Sequence, residues 1–172
     1  HPDRCAALVA IVPATHVPGR APMRPNAIGA AIMRYALRSD LLFWAGMHLA
    51  EDRMIATLLA TDPALVHASP IEEQARVRAI LRSILPISAR AEGLLNAGAL
   101  AGNPAPQALD RIAAPTLAIS LDDDRFFTAD AARHIAASIP DARLVIYPTG
   151  GHVWVGRDAD LMGEVGAFLR GL

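Results

Sequence analysis

Leu117-Ala118-Ile119-Ser120-Leu121-Asp122-Asp123-Asp124 and Leu144-Val145-Ile146-Tyr147-Pro148-Thr149-Gly150-Gly151-His152 decide the fold of this chain. Each is a continuous apolar run of strand length that ends in a polar loop, one with three acids, the other with two glycines and a histidine. Thr128 to Ile139 between them has helical spacing, so the unit reads strand 116–121, helix 128–139, strand 143–148. A strand–helix–strand crossover places its two strands parallel, with both C-terminal ends on one edge of a sheet. Neighbouring strands lie about 4.8 Å apart, so an acid and a histidine leaving those ends can meet.

Working outward, Leu8 to Pro13 is another short apolar run, the pattern of a strand covered on both faces. Pro13, Pro18, Gly19, Pro22 and Pro25 mark an irregular exit. From Asn26 to about Ala101 nothing strand-like occurs. Ile28, Ile32 and Tyr35 share one helical face. Asp40 can cap a helix from Leu41 to about Leu59, apolar nearly all round at Leu41, Leu42, Phe43, Trp44 and Met47, as a buried or pocket-lining helix would be. Ser69, Pro70 and Glu72 form a capping-box start for a third helix. Its inner stripe is Val77, Ile80, Leu81, Ile84 and Leu85, with a Glu72–Arg76 pair outside and Pro86 as its stop. Ala91 to Leu100 reads as one more short helix. After the 143–148 strand, a last helix from about Asp160 carries Leu161, Val165, Phe168, Leu169 and Leu172 on one face, and Thr128 and Asp158 are candidate N-caps.

Composition narrows the function. The chain has 172 residues, 53% of them apolar, enough for one domain with a real core. Sixteen basic residues, all arginine, against 17 acids give a net charge of −1 with no basic stripe, which argues against nucleic-acid or anionic-membrane binding. No apolar run approaches the roughly 20 residues of a membrane helix. Residues 1–20 make a poor signal peptide, so a cytoplasmic location is expected. The single Cys5 excludes an intrachain disulfide and a multi-cysteine metal site, and its place before an apolar run predicts a buried structural thiol. The opening on His1 suggests a chain cut from something longer.

Several segments together resemble the C-terminal half of an α/β-hydrolase. They are His1-Pro2-Asp3-Arg4-Cys5-Ala6-Ala7-Leu8-Val9, Ile112-Ala113-Ala114-Pro115-Thr116-Leu117, the acid loop, Ile139-Pro140-Asp141-Ala142-Arg143-Leu144, and Gly150-Gly151-His152. The resemblance covers nearly the whole chain. It implies an α/β fold: an incomplete α/β-hydrolase sheet of about three parallel strands, with a helical cap inserted after the first. Residues 1–20 and 109–172 would form the partial core and 21–108 the cap. In this family the triad runs nucleophile, acid, histidine along the chain. The pattern assigns the acid to Asp124, leaving Asp122 and Asp123 to a solvated turn, and the general base to His152.

Other candidates are weaker. Phe126, Phe127 and Trp154 flank the two loops, and Phe43, Trp44 and Met47 sit in the presumed cap. Both sets fit an apolar substrate pocket, with core packing as the other reading. His16 faces the same sheet edge and is a further pocket candidate. His48, His67 and His134 lack partner spacing, so no metal site is expected, and the chemistry needs no cofactor. None of the six serines, Ser39, Ser69, Ser83, Ser88, Ser120 and Ser138, lies in a G-x-S-x-G elbow.

The expectation is therefore the C-terminal portion of a hydrolase for a small apolar ester or related carbonyl substrate, inactive without a nucleophile from upstream. Haloalkane dehalogenase, haloperoxidase-like and epoxide hydrolase chemistry, or non-catalytic ligand binding, are the alternatives on the same fold. The partner would be the missing N-terminal part of the fold, or a second copy in a homodimer.

Overall fold

The computed structural model describes residues 4–23, 31 and 34–172. Three parallel strands form one sheet in the order β1 (Leu8–Ile11), β2 (Thr116–Leu121), β3 (Arg143–Tyr147). Leu8 aligns with Thr116 and Ile11 with Ile119, and Leu117 aligns with Arg143 and Leu121 with Tyr147. Every residue of central β2 is buried. Its two faces explain its sequence. Leu117, Ile119 and Leu121 pack on one side with Trp154 and with Leu161, Val165 and Phe168 of the C-terminal helix. Ala118 on the other side is small enough for the 128–138 helix to bring Ala132 and Ile135 against the sheet. Each of the three large residues is fully buried, a contribution of about 1.5–3 kcal/mol apiece.

β1 has apolar partners on both faces, Val9 on the side of Leu117 and Ile119, and Leu8 and Ala10 on the side of Ala118. It is an edge strand, partly buried, with Ile11 41% exposed, and no described residue pairs with its outer edge. Cys5 is likewise exposed rather than a buried thiol, because β1 begins only at Leu8 and Cys5 lies before it, its Sγ 3.4 Å from Ala7 O.

Between β1 and β2 the described chain is helical: α1 (Asp40–Leu49), α2 (Glu51–Leu58), α3 (Pro63–Ala68), α4 (Ile71–Ser83) and α5 (Ala91–Gly102). After β2 comes α6 (Thr128–Ser138), and after β3 comes α7 (Asp158–Arg170). The single helix expected over 41–59 is broken at Ala50 (φ −147°, ψ 42°). On a straight helix Ile55 would stand about 120° round from Phe43. The bend lets Phe43, Met47 and Ile55 share one core with Val66, Val77 and Leu81. Ser39, not Asp40, caps α1 by accepting from Leu42 N, and Asp40 instead accepts from Ser88 N at 2.9 Å and Ser88 Oγ at 2.8 Å.

The capping box expected for α4 does not form. Ser69 donates its hydroxyl to Val66 O (2.7 Å), closing α3, which abuts α4; Glu72 is exposed, and Arg76 pairs with Glu73 rather than Glu72. Asp62, which sequence reading passed over, caps α3 through Ala64 N. Phe127 and Arg157, not Thr128 and Asp158, occupy the cap positions of α6 and α7. Tyr35 is exposed, while Ile28 and Ile32 lie outside the described residues. No helix among the described residues is long and apolar enough to cross a membrane.

Candidate active site

The loops after β2 and β3 emerge from one sheet edge and meet. His152 Nδ1 lies 2.8 Å from Asp124 Oδ2. A carboxylate only accepts, so Nδ1 carries the proton of this bond. Nε2 has no hydrogen-bond partner among the described residues.

Asp124 is 2% exposed and holds its carboxylate with three donors. Besides His152, Phe126 N donates to Oδ1 at 2.8 Å and the Thr128 hydroxyl donates to Oδ2. Thr128 Oγ1 in turn sits 2.8 Å from Ser120 Oγ on β2. Its one proton goes to Asp124, so the Ser120 proton points to Thr128. Burial pushes the Asp124 carboxyl up, but the hydrogen bonds from His152 and Thr128, with the nearby His152 charge and Phe126 N–H, outweigh it and hold the group below the usual carboxylate range. Thr128 therefore serves Asp124 rather than capping its helix.

Asp123 is also not the solvated residue expected. It reaches across to the histidine loop, accepting from Gly150 N at 3.1 Å and Gly151 N at 2.9 Å. Asp122 remains outside, exposed and paired with Arg133 at 2.5 Å. The acid run thus splits three ways: Asp122 to the surface, Asp123 to the backbone beneath His152, Asp124 to the imidazole.

Gly151 has no room for a side chain. Its φ is +60°, and a Cβ there would stand 2.5 Å from Thr61 Cγ2 and 2.6 Å from Thr61 Oγ1. Thr61 is fully buried, donates to Leu59 O at 2.7 Å and accepts from Val153 N at 3.4 Å. The helical segment also reaches the acid loop, where Ala60 O accepts from Arg125 N (3.0 Å) and Asp62 pairs with Arg125 (2.9 Å).

Of the aromatic candidates, Phe126 stands nearest the pair, its ring edge-on to His152 with centroids 4.9 Å apart. It also lines a cleft of about 50 Å³ with Thr15, His16, Val17, Arg20 and Met23, against the roughly 10–15 Å³ that one water needs. Phe127 lies under the Arg20 guanidinium, 5.2 Å from its ring centroid, while Arg20 donates to Phe127 O at 3.0 Å and Phe126 O at 3.2 Å.

The others stand elsewhere. Trp154 is buried in the core beside β2, edge-on to Tyr147. Phe43 and Met47 belong to the helical core, and Trp44 is 51% exposed against His48. His67 pairs with Asp52 on the surface. Among the described residues no three His, Cys, Asp or Glu side chains gather as metal ligands.

A family model for the alpha/beta hydrolase fold matches residues 1–155. No curated protein matches the chain significantly. Among solved structures, it is similar to a hydrolase from Pseudomonas aeruginosa PA01, with 28% identity and a TM-score of 0.59 over 98% of this chain and 57% of that one. A membrane phospholipase A described as a bacterial virulence factor matches at 21% identity and TM-score 0.62, over 99% of this chain and 51% of its own. An esterase from Thermogutta terrifontis matches at 18% and 0.58, over 99% and 57%. The chain thus spans little more than half the length of these structures. With its three parallel strands, its acid and histidine loops at one sheet edge and this family match, the chain belongs to the α/β-hydrolase fold family.

Proposed function

We propose that this chain supplies the acid and histidine of a nucleophile–His–Asp hydrolase for a small apolar ester or related carbonyl substrate. The observation that carries the reading is the 2.8 Å contact between His152 Nδ1 and the buried, ionised Asp124. Asp124 fixes the tautomer and stabilises the imidazolium, and Nε2 takes the nucleophile's proton and later delivers it to the leaving group. His152 then activates the water that releases the acyl group.

The attacking group comes from outside this sequence, which has no elbow motif. The open outer edge of β1 supports that reading, as the place where further strands of the fold would pair. Residues 1–20 and 109–172 serve as the partial core, and 21–108 as a cap over the sheet edge. The Phe126 ring supplies an apolar surface next to His152, beside a small cleft that also carries Thr15, His16 and Arg20, which favours a short acyl or alkyl group.

The test uses the full-length protein that carries this chain and its upstream segment. His152→Ala is expected to lower p-nitrophenyl ester hydrolysis about a thousandfold or more. A fall of less than tenfold would refute the role of His152.

A further inference from the structure

The helical segment touches the histidine loop through one ion pair that the mechanism above does not use. On α4, Arg76 and Glu73 form a bidentate pair, Nε to Oε2 at 2.8 Å and Nη2 to Oε1 at 2.6 Å. Both partners then reach the chain just beyond His152. Arg76 Nη2 donates to Val153 O at 2.7 Å and Trp154 O at 3.3 Å, and Glu73 Oε1 accepts from Gly156 N at 2.9 Å. Three backbone groups within four residues of His152 are thus held by two side chains from a helix 77 or more residues away.

The pair is well placed for this work. Both side chains are largely buried, at 30% and 16% exposure, so solvent screens them little. Trp154 and Gly156 both adopt positive φ, at +60° and +68°. The loop closes its own turn through Val155 N to Gly150 O at 2.7 Å and Arg157 N to Trp154 O at 2.9 Å, while Val153 O and Gly156 N are met by Arg76 and Glu73. Neighbouring Arg78, also on α4, pairs instead with Glu51 of α2 and stays inside the helical segment.

We propose that Glu73 and Arg76 are positioning residues for His152, a strap from the helical segment that sets where the imidazole stands over the sheet edge. The inference rests on the hydrolase reading above. It adds that the helical segment governs the rate of the chemical step as well as covering substrate. A small displacement of the reacting groups costs up to about a hundredfold in rate.

The experiment compares Arg76→Met with Arg78→Met in the full-length protein, since each breaks one ion pair of α4 but only the first reaches the histidine loop. Arg76→Met is expected to lower kcat about tenfold to a hundredfold with KM nearly unchanged. It should also shift or broaden the far-downfield proton NMR signal of the Nδ1–H bound to Asp124. Arg76→Lys should restore part of the rate, and Arg78→Met should leave kcat and the signal as in the parent.

Equal losses in the two variants, a change confined to KM, or an unmoved proton signal would each overturn the strap. Should Arg76→Met not fold, Glu73→Gln decides on the same readouts: it keeps an oxygen for Gly156 but removes the counter-charge of Arg76. His152→Ala in the same protein separates the two claims, since an active His152→Ala refutes the hydrolase reading itself.

Discussion

Gly151→Ala is the sharpest test of how the histidine loop is built. The backbone there has φ +60°, where a Cβ costs roughly 1–2 kcal/mol. The new methyl would also stand 2.5–2.8 Å from three atoms of Thr61. Thr61 cannot swing aside cheaply, because it is fully buried with its hydroxyl tied to Leu59 O. Overpacking of this kind costs about 1–3 kcal/mol, so the substitution should destabilise by about 2–5 kcal/mol in all. With a urea slope of about 2 kcal/mol/M, the midpoint falls by roughly 1–2.5 M. Trp154, buried beside β2, is a suitable fluorescence reporter for the melt.

Gly156→Ala is the internal reference: its φ is +68°, but nothing lies within 4 Å of a Cβ there, so it should show the backbone cost alone. Thr61→Ala removes the Cγ2 and Oγ1 contacts and leaves the one to Cβ at 2.8 Å. Combined with Gly151→Ala, it should recover about 1–2 kcal/mol against the sum of the single variants. Equal losses at 151 and 156, or strict additivity with Thr61→Ala, would refute the claim that Thr61 and Gly151 are fitted to each other.

Two further outcomes concern Asp124. Thr128→Val takes one donor from the Asp124 carboxylate and leaves the buried Ser120 hydroxyl without its partner; a loss of about 1–3 kcal/mol is expected in urea melts of the folded protein. The acid limb follows from the sign of the Asp124 shift. Its folded carboxyl lies below the ordinary value, so the stability it contributes is fully present above about pH 3.9 and is lost as pH falls through the lowered value. Thr128→Val raises the folded value towards the ordinary one. Its acid unfolding, followed by near-ultraviolet circular dichroism, should therefore begin at a higher pH than in the parent, and superimposable acid curves would sink the assignment.

The part of the fold that local sequence reveals is the part with local causes. Thr116–Leu121 is bounded by Pro115 and the acids, and its apolar run is continuous because both faces are covered. α6 and β3 end within a residue of their expected limits. The break at Ala50 carries no glycine or proline, and only the need to gather Phe43, Met47 and Ile55 into one core explains it. Ser69 and Thr128 are good N-caps by composition, yet both hydroxyls turn back to upstream partners three and four residues away, Val66 O and Asp124. In the site, the strand–helix–strand rule is enough to bring the 124 and 152 loops together. Asp123 was not legible, because its partners Gly150 and Gly151 lie 27 and 28 residues away and its neighbours in sequence look like any acidic turn. Arg76 was hidden in the same way, by a plausible local partner at Glu72 in place of Glu73.

These long-range bonds follow from one energetic demand. A carboxylate with no exposed side-chain area is costly unless every oxygen finds a donor. Asp124 meets that demand from three directions: its own loop through Phe126 N, α6 through Thr128, and the histidine loop through His152 Nδ1. The histidine loop can deliver its share only if its backbone is held, and its own turn bonds to Gly150 O, Gly151 O and Trp154 O are joined by added stiffness from outside. Asp123 from one side and Thr61, Glu73 and Arg76 from the other supply that stiffness. The ionised acid and the placement of the imidazole are thus one requirement, met jointly by the sheet edge and the helical segment. A variant in which the helical segment comes loose should consequently disturb the Asp124–His152 pair while β2 and α6 remain packed, because the contacts of Ala118 with Ala132 and Ile135 do not pass through that segment.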